Sequence, residues 1–233
     1  MLKVKQFRYG ADNLGYLVYG PDSAIAVDGG AGEEILAFLE THRISLLYVA
    51  NTHDHRDHTC GNETLLAASG ARLLSGAELS DGAVVTLDGW KIRIIRTPGH
   101  SKDSRSFYTG ETLIAGDTLF NGTIGNCFSG DLEGFYQSIR KLMTLPDRTV
   151  VYAGHDYVRD SMAFARYLEP ENAEIGVFLG NYNPDHVFST LAQEKRINPY
   201  LRFNEPGIVG LLAKRNLPRE TEWERWRSLM GIE

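Results

Sequence analysis

Cysteine is scarce in this chain: only Cys60 and Cys127 occur among 233 residues. Two thiols cannot build a disulfide framework, and such sparing use suits a reducing compartment. No apolar run approaches the roughly 18 residues that a membrane span needs. The first residues, Met1 to Arg8, alternate charged and apolar side chains and lack the apolar centre of a secretory leader. The expectation is a cytoplasmic protein without a membrane partner. Cationic excess is missing too. Lys and Arg number 24 against 30 Asp and Glu, for a net charge of −6, which argues against nucleic acid as a partner and favours solubility. There is no internal repeat, no low-complexity tract and no Gly-x-Ser-x-Gly nucleophile elbow, so solenoids and serine hydrolases built on that elbow are set aside.

What remains is an ordinary globular composition, 42% hydrophobic and 23% charged, long enough for one large domain or a domain with an appendage. Strand-like alternation marks residues 2–9, 14–19 and 24–28. A helix opens at Glu33-Glu34, where acidic side chains suit the helix dipole. Strand 45–50 and a short helix closed by Gly70 follow. Residues 71–117 are strand-rich, with Trp90, Ile92 and Ile94 alternating against Lys91 and Arg93 and a hairpin around Gly110. Residues 121–130 read as a loop. Asp131 is a plausible N-cap for a helix carrying Phe135, Tyr136, Ile139 and Leu142, and 148–153 is a strand. Beyond 157 strand signals stop. Helices are expected around Phe164 to Leu168, after Pro206-Gly207, and after Thr221, which with Glu224 forms a capping box. The chain therefore divides into 1–157 and a helical region, 158–233.

The stretch Asn51-Thr52-His53-Asp54-His55-Arg56-Asp57-His58 follows the apolar run Leu46 to Ala50. Three close histidines beside buried structure would be costly to desolvate without a partner. His100 and His155 each follow another strand-like segment and a glycine, and Asp117 follows a third. Neutral imidazole with carboxylate suits zinc or iron. Seven donors exceed one tetrahedral ion and fit two: His53, His55 and His100 on one, Asp57, His58 and His155 on the other, with Asp117 bridging. Alternation within the motif turns Asp54 and Arg56 away from the metals. His42 and His186 read as ordinary surface or core histidines.

These segments, Thr52-His53-x-His55-x-Asp57-His58, Thr97-Pro98-Gly99-His100, Gly116-Asp117-Thr118 and Gly154-His155-Asp156-Tyr157, together resemble the metallo-β-lactamase superfamily over residues 2–157. The resemblance implies an α/β fold, a four-layer αβ/βα sandwich, with a dinuclear site at one edge. Within the superfamily the chain is similar to hydroxyacylglutathione hydrolases (glyoxalase II). Gly61-Asn62, the run Phe164 to Ala173, Ser189 to Glu194 and Asn198 to Arg202 carry that likeness, and the last three imply a C-terminal helical substrate-binding region. The implied activity is hydrolysis of an acyl-thiol such as S-lactoylglutathione to free thiol and carboxylate by a metal-bridging hydroxide. Asp57 and Asp117 would serve as catalytic ligands and Tyr157, Asn126, Phe128 and Arg227 would contact substrate.

The chain also departs from that pattern. Asn126 and Phe128 stand where the family usually offers a basic residue and a tyrosine, and Ser161 where asparagine is common. Of a C-terminal basic pair only Arg227 is matched, with Glu224 near the other position. Losing cationic partners weakens recognition of a thiol with two carboxylates. A small-molecule thioester, two divalent ions (zinc first, iron or manganese as alternatives) and a monomer or homodimer are the expectations. A mononuclear-iron persulfide dioxygenase and a lactone hydrolase are the alternative readings.

Overall fold

The computed structural model describes residues 1–232. Period-2 patterning builds two sheets. The first has strands β1 (Lys3–Tyr9), β2 (Asn13–Tyr19), β3 (Ser23–Val27), β4 (Ser45–Ala50) and β5 (Arg72–Leu73), neighbours in that order. β1, β2 and β3 pair antiparallel; β3, β4 and β5 run parallel. The second contains β6 (Val84–Leu87), β7 (Trp90–Arg96), β8 (Arg105–Tyr108), β9 (Thr112–Gly116), β10 (Val150–Ala153) and β11 (Ser189–Thr190), neighbours in that order. Only β9 and β10 are parallel.

Alternate side chains enter different cores. From β3, Ile25 and Val27 join Ile92, Ile94, Phe107 and Ile114 between the sheets. Ala24 and Ala26 face the other way, with Ile35 and Leu39 of helix α1 (Gly32–His42). Past α2 (Arg56–Thr59), Leu65 of α3 (Asn62–Ser69) completes that outer core. From β9, Ile114 points between the sheets while Leu113 and Ala115 meet Phe135, Ile139 and Leu142 of α4 (Leu132–Met143). Helix, sheet, sheet, helix is the expected four-layer αβ/βα order. Asp131 caps α4, accepting from the Gly134 N–H at 2.8 Å.

After Tyr157 the chain forms α5 (Val158–Leu168), α6 (Ala173–Asn181), α7 (Leu191–Ile197), α8 (Pro206–Lys214) and α9 (Glu222–Met230). The expected helices are present, and α9 opens on the Thr221–Glu224 capping box. Two findings differ from the sequence expectation. Periodicity did not mark α6 or α7, and a strand does occur beyond 157: β11 pairs antiparallel with β10 at the sheet edge. Two residues are too short for alternation to register; the β10 edge dictates their conformation. Among the described residues no helix is long and apolar enough to cross a membrane.

The topology gathers loops at one edge. β3, β4, β7, β9 and β10 all end there, and antiparallel β2 begins there. The sheets are tied at this edge by Leu14 N–H donating to the Gly154 carbonyl (2.8 Å) and Arg105 N–H to the Thr52 carbonyl (2.9 Å).

Candidate metal centre

The loop after β4 and the turns after β7, β9 and β10 bring all seven expected ligand residues into one cluster. His53, His55 and His100 offer one set of mutually close donor atoms; Asp57, His58 and His155 offer another. Asp117 lies between them. Its Oδ2 is 3.5 Å from Nε2 of both His100 and His155, and its Oδ1 is 3.4 Å from His58 Nε2. His53, His58, His100, His155 and Asp117 are buried, whereas the Asp57 side chain is 47% exposed and forms the open side. Asp54 and Arg56 are exposed, as alternation predicted.

The imidazole orientations are fixed from behind. His58 Nδ1 lies 2.9 Å from Asp28 Oδ2, His155 Nδ1 2.8 Å from Asp12 Oδ1, and His100 Nδ1 3.0 Å from the Asn126 carbonyl. His53 Nδ1 lies 3.0 Å from Thr52 Oγ1, which itself donates to Asp28 Oδ2 at 2.6 Å. Each contact sets Nδ1 against an oxygen and aims Nε2 at the centre, the arrangement that orients metal-binding histidines. His55 is the exception. It presents Nδ1 inward, 2.9 Å from His53 Nε2 and 3.1 Å from His100 Nε2. Asn13 Nδ2 donates to Asp57 Oδ2 at 2.9 Å and steadies the exposed carboxylate.

The donor set fits a divalent cation. His58 Nε2 and Asp117 Oδ1 are buried with no hydrogen-bond partner, a costly state that coordination would relieve. Burial disfavours charge on His53 and, with the neighbouring His58, lowers its pKa to about 4; burial likewise lowers that of His100. Burial also opposes a charge on His58, but Asp28 and Asp117 outweigh it and push the imidazolium up to about 11. Asp117 ionises despite burial, its carboxyl held at about 2 by the contact with His58 and by the other histidines. The centre therefore demands positive charge between Asp28 and Asp117. Space is matched as closely. A Cβ on Gly154 would fall 2.0 Å from Asp117 Oδ1 and 2.8 Å from His58 Cε1, so only glycine admits the ligands here.

Residues 12–80 and 74–155 match the family model described as the metallo-beta-lactamase superfamily, and residues 156–229 match the one described as hydroxyacylglutathione hydrolase C-terminus. The hydroxyacylglutathione hydrolase of Pseudoalteromonas translucida is 31% identical across 100% of this chain and 97% of its own length. That of Maricaulis maris is 32% identical, covering 91% of each chain. This chain belongs to the hydroxyacylglutathione hydrolase family. Solved structures agree on the fold. ETHE1 from Myxococcus xanthus superposes with a TM-score of 0.68 at 23% identity, over 97% of this chain and 99% of that one. BLEG-1 B3 metallo-beta-lactamase gives 0.65 at 23% identity, over 85% and 99%.

Around the centre of this family member, the four expected substrate residues have different surroundings. Tyr157 is half-buried and stacked on His155, ring centroids 5.0 Å apart, with Phe120 edge-on at 5.1 Å. Phe128 is 68% exposed, and its ring stands 5.2 Å from His100 and 6.1 Å from His55. Its ring therefore faces these two histidines. Asn126 turns its side chain outward and gives its carbonyl to His100. Arg227 is exposed, its guanidinium 6.0 Å over the Trp223 ring, and no hydrogen bond or ion pair joins it to the cluster. Cys127 is half-buried with its Sγ 3.5 Å from Ser129 Oγ.

Sequence reasoning missed Asp28, Asp12, Asn13 and Thr52. Asp28 carried a usable signal: a carboxylate between the buried strand end Val27 and the pair Gly29-Gly30. Asp12 and Asn13 carried none, because a polar pair before a strand reads as a turn.

Proposed function

We propose that this protein is a metal-dependent hydrolase of acyl-thiol thioesters of the S-lactoylglutathione type, releasing a free thiol and a carboxylate. The observation that carries the reading is the Asp117 carboxylate set between two donor triads, at the mouth of which an exposed Asp57 and an exposed aromatic ring face solvent. His53, His55 and His100 would hold one divalent ion, Asp57, His58 and His155 a second, and Asp117 both. Zinc suits these donors best, and iron or manganese could be accommodated. When bound, the ions acidify water and offset negative charge developing on a carbonyl oxygen.

The chain's own residues do the rest. Asp57, steadied by Asn13, is the carboxylate able to orient a nucleophile toward a carbonyl arriving from the open side. Phe128, beside His55 and His100, and Tyr157, beside His155, offer aromatic surface to a substrate at the cluster. An amide would need a proton delivered to its leaving nitrogen. A thiol leaves without one, since its ordinary pKa near 8.5 makes the thiolate a tolerable leaving group. The chemistry thus favours a thioester over an amide. Hydrolysis is also favoured over a mononuclear-iron oxygenase, because a two-histidine, one-aspartate set would leave the remaining buried donors without purpose. A cytoplasmic setting agrees with two free cysteines.

The test is metal analysis joined to a hydrolysis panel of lactoyl and acetyl thioesters of glutathione, coenzyme A and cysteine. About two ions per chain and turnover of at least one thioester are expected, with chelation or Asp57→Ala abolishing turnover. Undiminished hydrolysis by metal-free protein, or oxygen uptake with glutathione persulfide in place of hydrolysis, would overturn the reading.

A further inference from the structure

Between β9 and α4 the chain makes a tight excursion whose two stems both serve the metal centre. Asp117 leaves on one stem. On the returning stem Gly125 lies so close that a Cβ there would meet the Asp117 carbonyl at 2.0 Å and His100 Nδ1 at 3.0 Å. Asn126 then supplies the carbonyl that orients His100, and Phe128 stands against the His100 ring. Leu119 and Ile124 bridge the stems, and Phe120 N–H closes the turn on the Thr123 carbonyl at 3.0 Å.

The apex, residues 121–123, is gripped by the C-terminal region through one fully buried carboxylate. Glu194 of α7 accepts the Gly122 N–H on both oxygens, at 3.2 and 3.0 Å, and the Asn198 amide at 2.8 Å. Asn198 also donates to the Thr123 carbonyl (2.9 Å), while Asn121 donates to Ser189 Oγ (2.8 Å) and the Val151 carbonyl (3.1 Å). Gly122 has φ of 96°, and Met162 Cε would lie 2.1 Å from any Cβ, so the backbone N–H meets the carboxylate at a point no side chain could occupy.

We propose that Glu194 is a positioning residue: its carboxylate fixes the loop apex and thereby sets where Asp117, the Asn126 carbonyl and Phe128 stand around the histidines. An ionised carboxylate is the matched partner here, since Gly122 and Asn198 both donate to it. Protonation makes one oxygen a donor facing donors and loosens the apex. Burial pushes the Glu194 carboxyl up to about 7, so the change falls within the working range of most enzymes. The groups facing it from the loop, β11 and its own helix are all uncharged. The charged neighbours on α7, Lys195 and Arg196, pair outward with Asp147 of the α4–β10 turn and Glu174 of α6, and α5 contributes Ser161 and Met162 against Gly122.

The experiment follows the backbone amide resonances of Gly122, Gly125, Asn126 and Phe128 against pH in the full metal-loaded chain. In the wild type all four are expected to shift together with a midpoint near 7. In Glu194→Gln, which mimics the protonated side chain, they should stay at the wild type's low-pH positions. Asn198→Ala, which removes a donor and keeps the carboxylate, should move the midpoint upward. With a turned-over thioester, the KM of Glu194→Gln should rise about fivefold, the equivalent of one lost hydrogen bond, with metal content unchanged. A Gly122 titration that leaves residues 125–128 still, or a Gln variant with wild-type resonances and KM at every pH, overturns the proposal. The assay arm rests on the thioesterase reading; the resonance arm does not, so the two can fail separately.

Discussion

At Asp28 the backbone leaves β3 with φ of 51°, a conformation aspartate and asparagine tolerate better than most residues. The carboxylate there is fully buried and takes three donors: the Thr52 N–H at 2.7 Å, the Thr52 hydroxyl at 2.6 Å and His58 Nδ1 at 2.9 Å. Through Thr52 it also orients His53, so one carboxylate steers a histidine in each donor triad. Asp28→Asn keeps the shape and the backbone tolerance but turns an amide NH2 toward a donor. Folding should survive, and metal affinity should fall about 10- to 100-fold, the usual consequence of losing such a support. Chelator competition on the purified variant measures it, with unchanged affinity as the refuting result. The contrast between ligands and supports explains what was legible at this scale. His53, His55, Asp57 and His58 announce themselves by crowding donors into a few positions. Asp12 and Asn13 are a polar pair at the start of β2 and Asp28 a lone carboxylate after β3, and only the folded edge shows what each one touches.

Helices and strands differ in how much of themselves they write into the sequence. The strands of both sheets, β11 apart, were legible because alternate residues must enter different cores, and α4 because its buried face recurs at helical spacing and Asp131 caps it. The Thr221–Glu224 box marks the start of α9 in the same local way. α7 carries a capping box of its own, Thr190 with Gln193, but it is only seven residues long, too short for periodicity to emerge. α6 is mostly apolar, buries only Ile175 and Phe178 and leaves Val177 exposed, so no apolar stripe stands out from the rest. Capping should be worth a definite amount where it is exposed. Thr221→Ala removes the side chain that accepts the Glu224 N–H at 3.1 Å and is expected to destabilise the chain by about 1 kcal/mol. In a protein of this length that lowers Tm by roughly 2–4 °C. Thermal unfolding followed by circular dichroism reads it directly, and a Tm unchanged within 1 °C (about 0.3 kcal/mol or less) would show that α9 is held by its Trp226 and Leu229 packing alone.

On the scale of the whole molecule, the reading of residues 1–157 and 158–233 as two parts meets a shared interior. Val158, Met162, Ala165, Ile175, Phe178, Val187 and Ile197 are buried in the same core as Leu14, Tyr16 and Ile114 from the two sheets. Leu168, Leu191, Ile208, Leu212, Trp226 and Leu229 complete the core under α4. Gln6 of β1 exchanges hydrogen bonds with the Val187 backbone at 2.7 and 2.8 Å, and β11 extends the second sheet. Uncovering a fully buried aliphatic or aromatic side chain costs about 1.5–3 kcal/mol, whereas net stability is only about 5–15 kcal/mol. Losing the partners of even a handful of these residues exceeds what the sheets could hold in reserve. A chain ending at Tyr157 is therefore expected to lack a cooperative unfolding transition and to show poorly dispersed amide resonances. The full chain should unfold in one step. Tryptophan fluorescence, which samples the C-terminal region through Trp223 and Trp226 and the second sheet through Trp90, should share its denaturant midpoint with far-ultraviolet circular dichroism. Two separated midpoints, or a folded truncated chain, would mean that the helical region is an independent unit resting on the sandwich; coincident midpoints mean that the C-terminal helices, the loop apex and the histidine cluster stand or fall together.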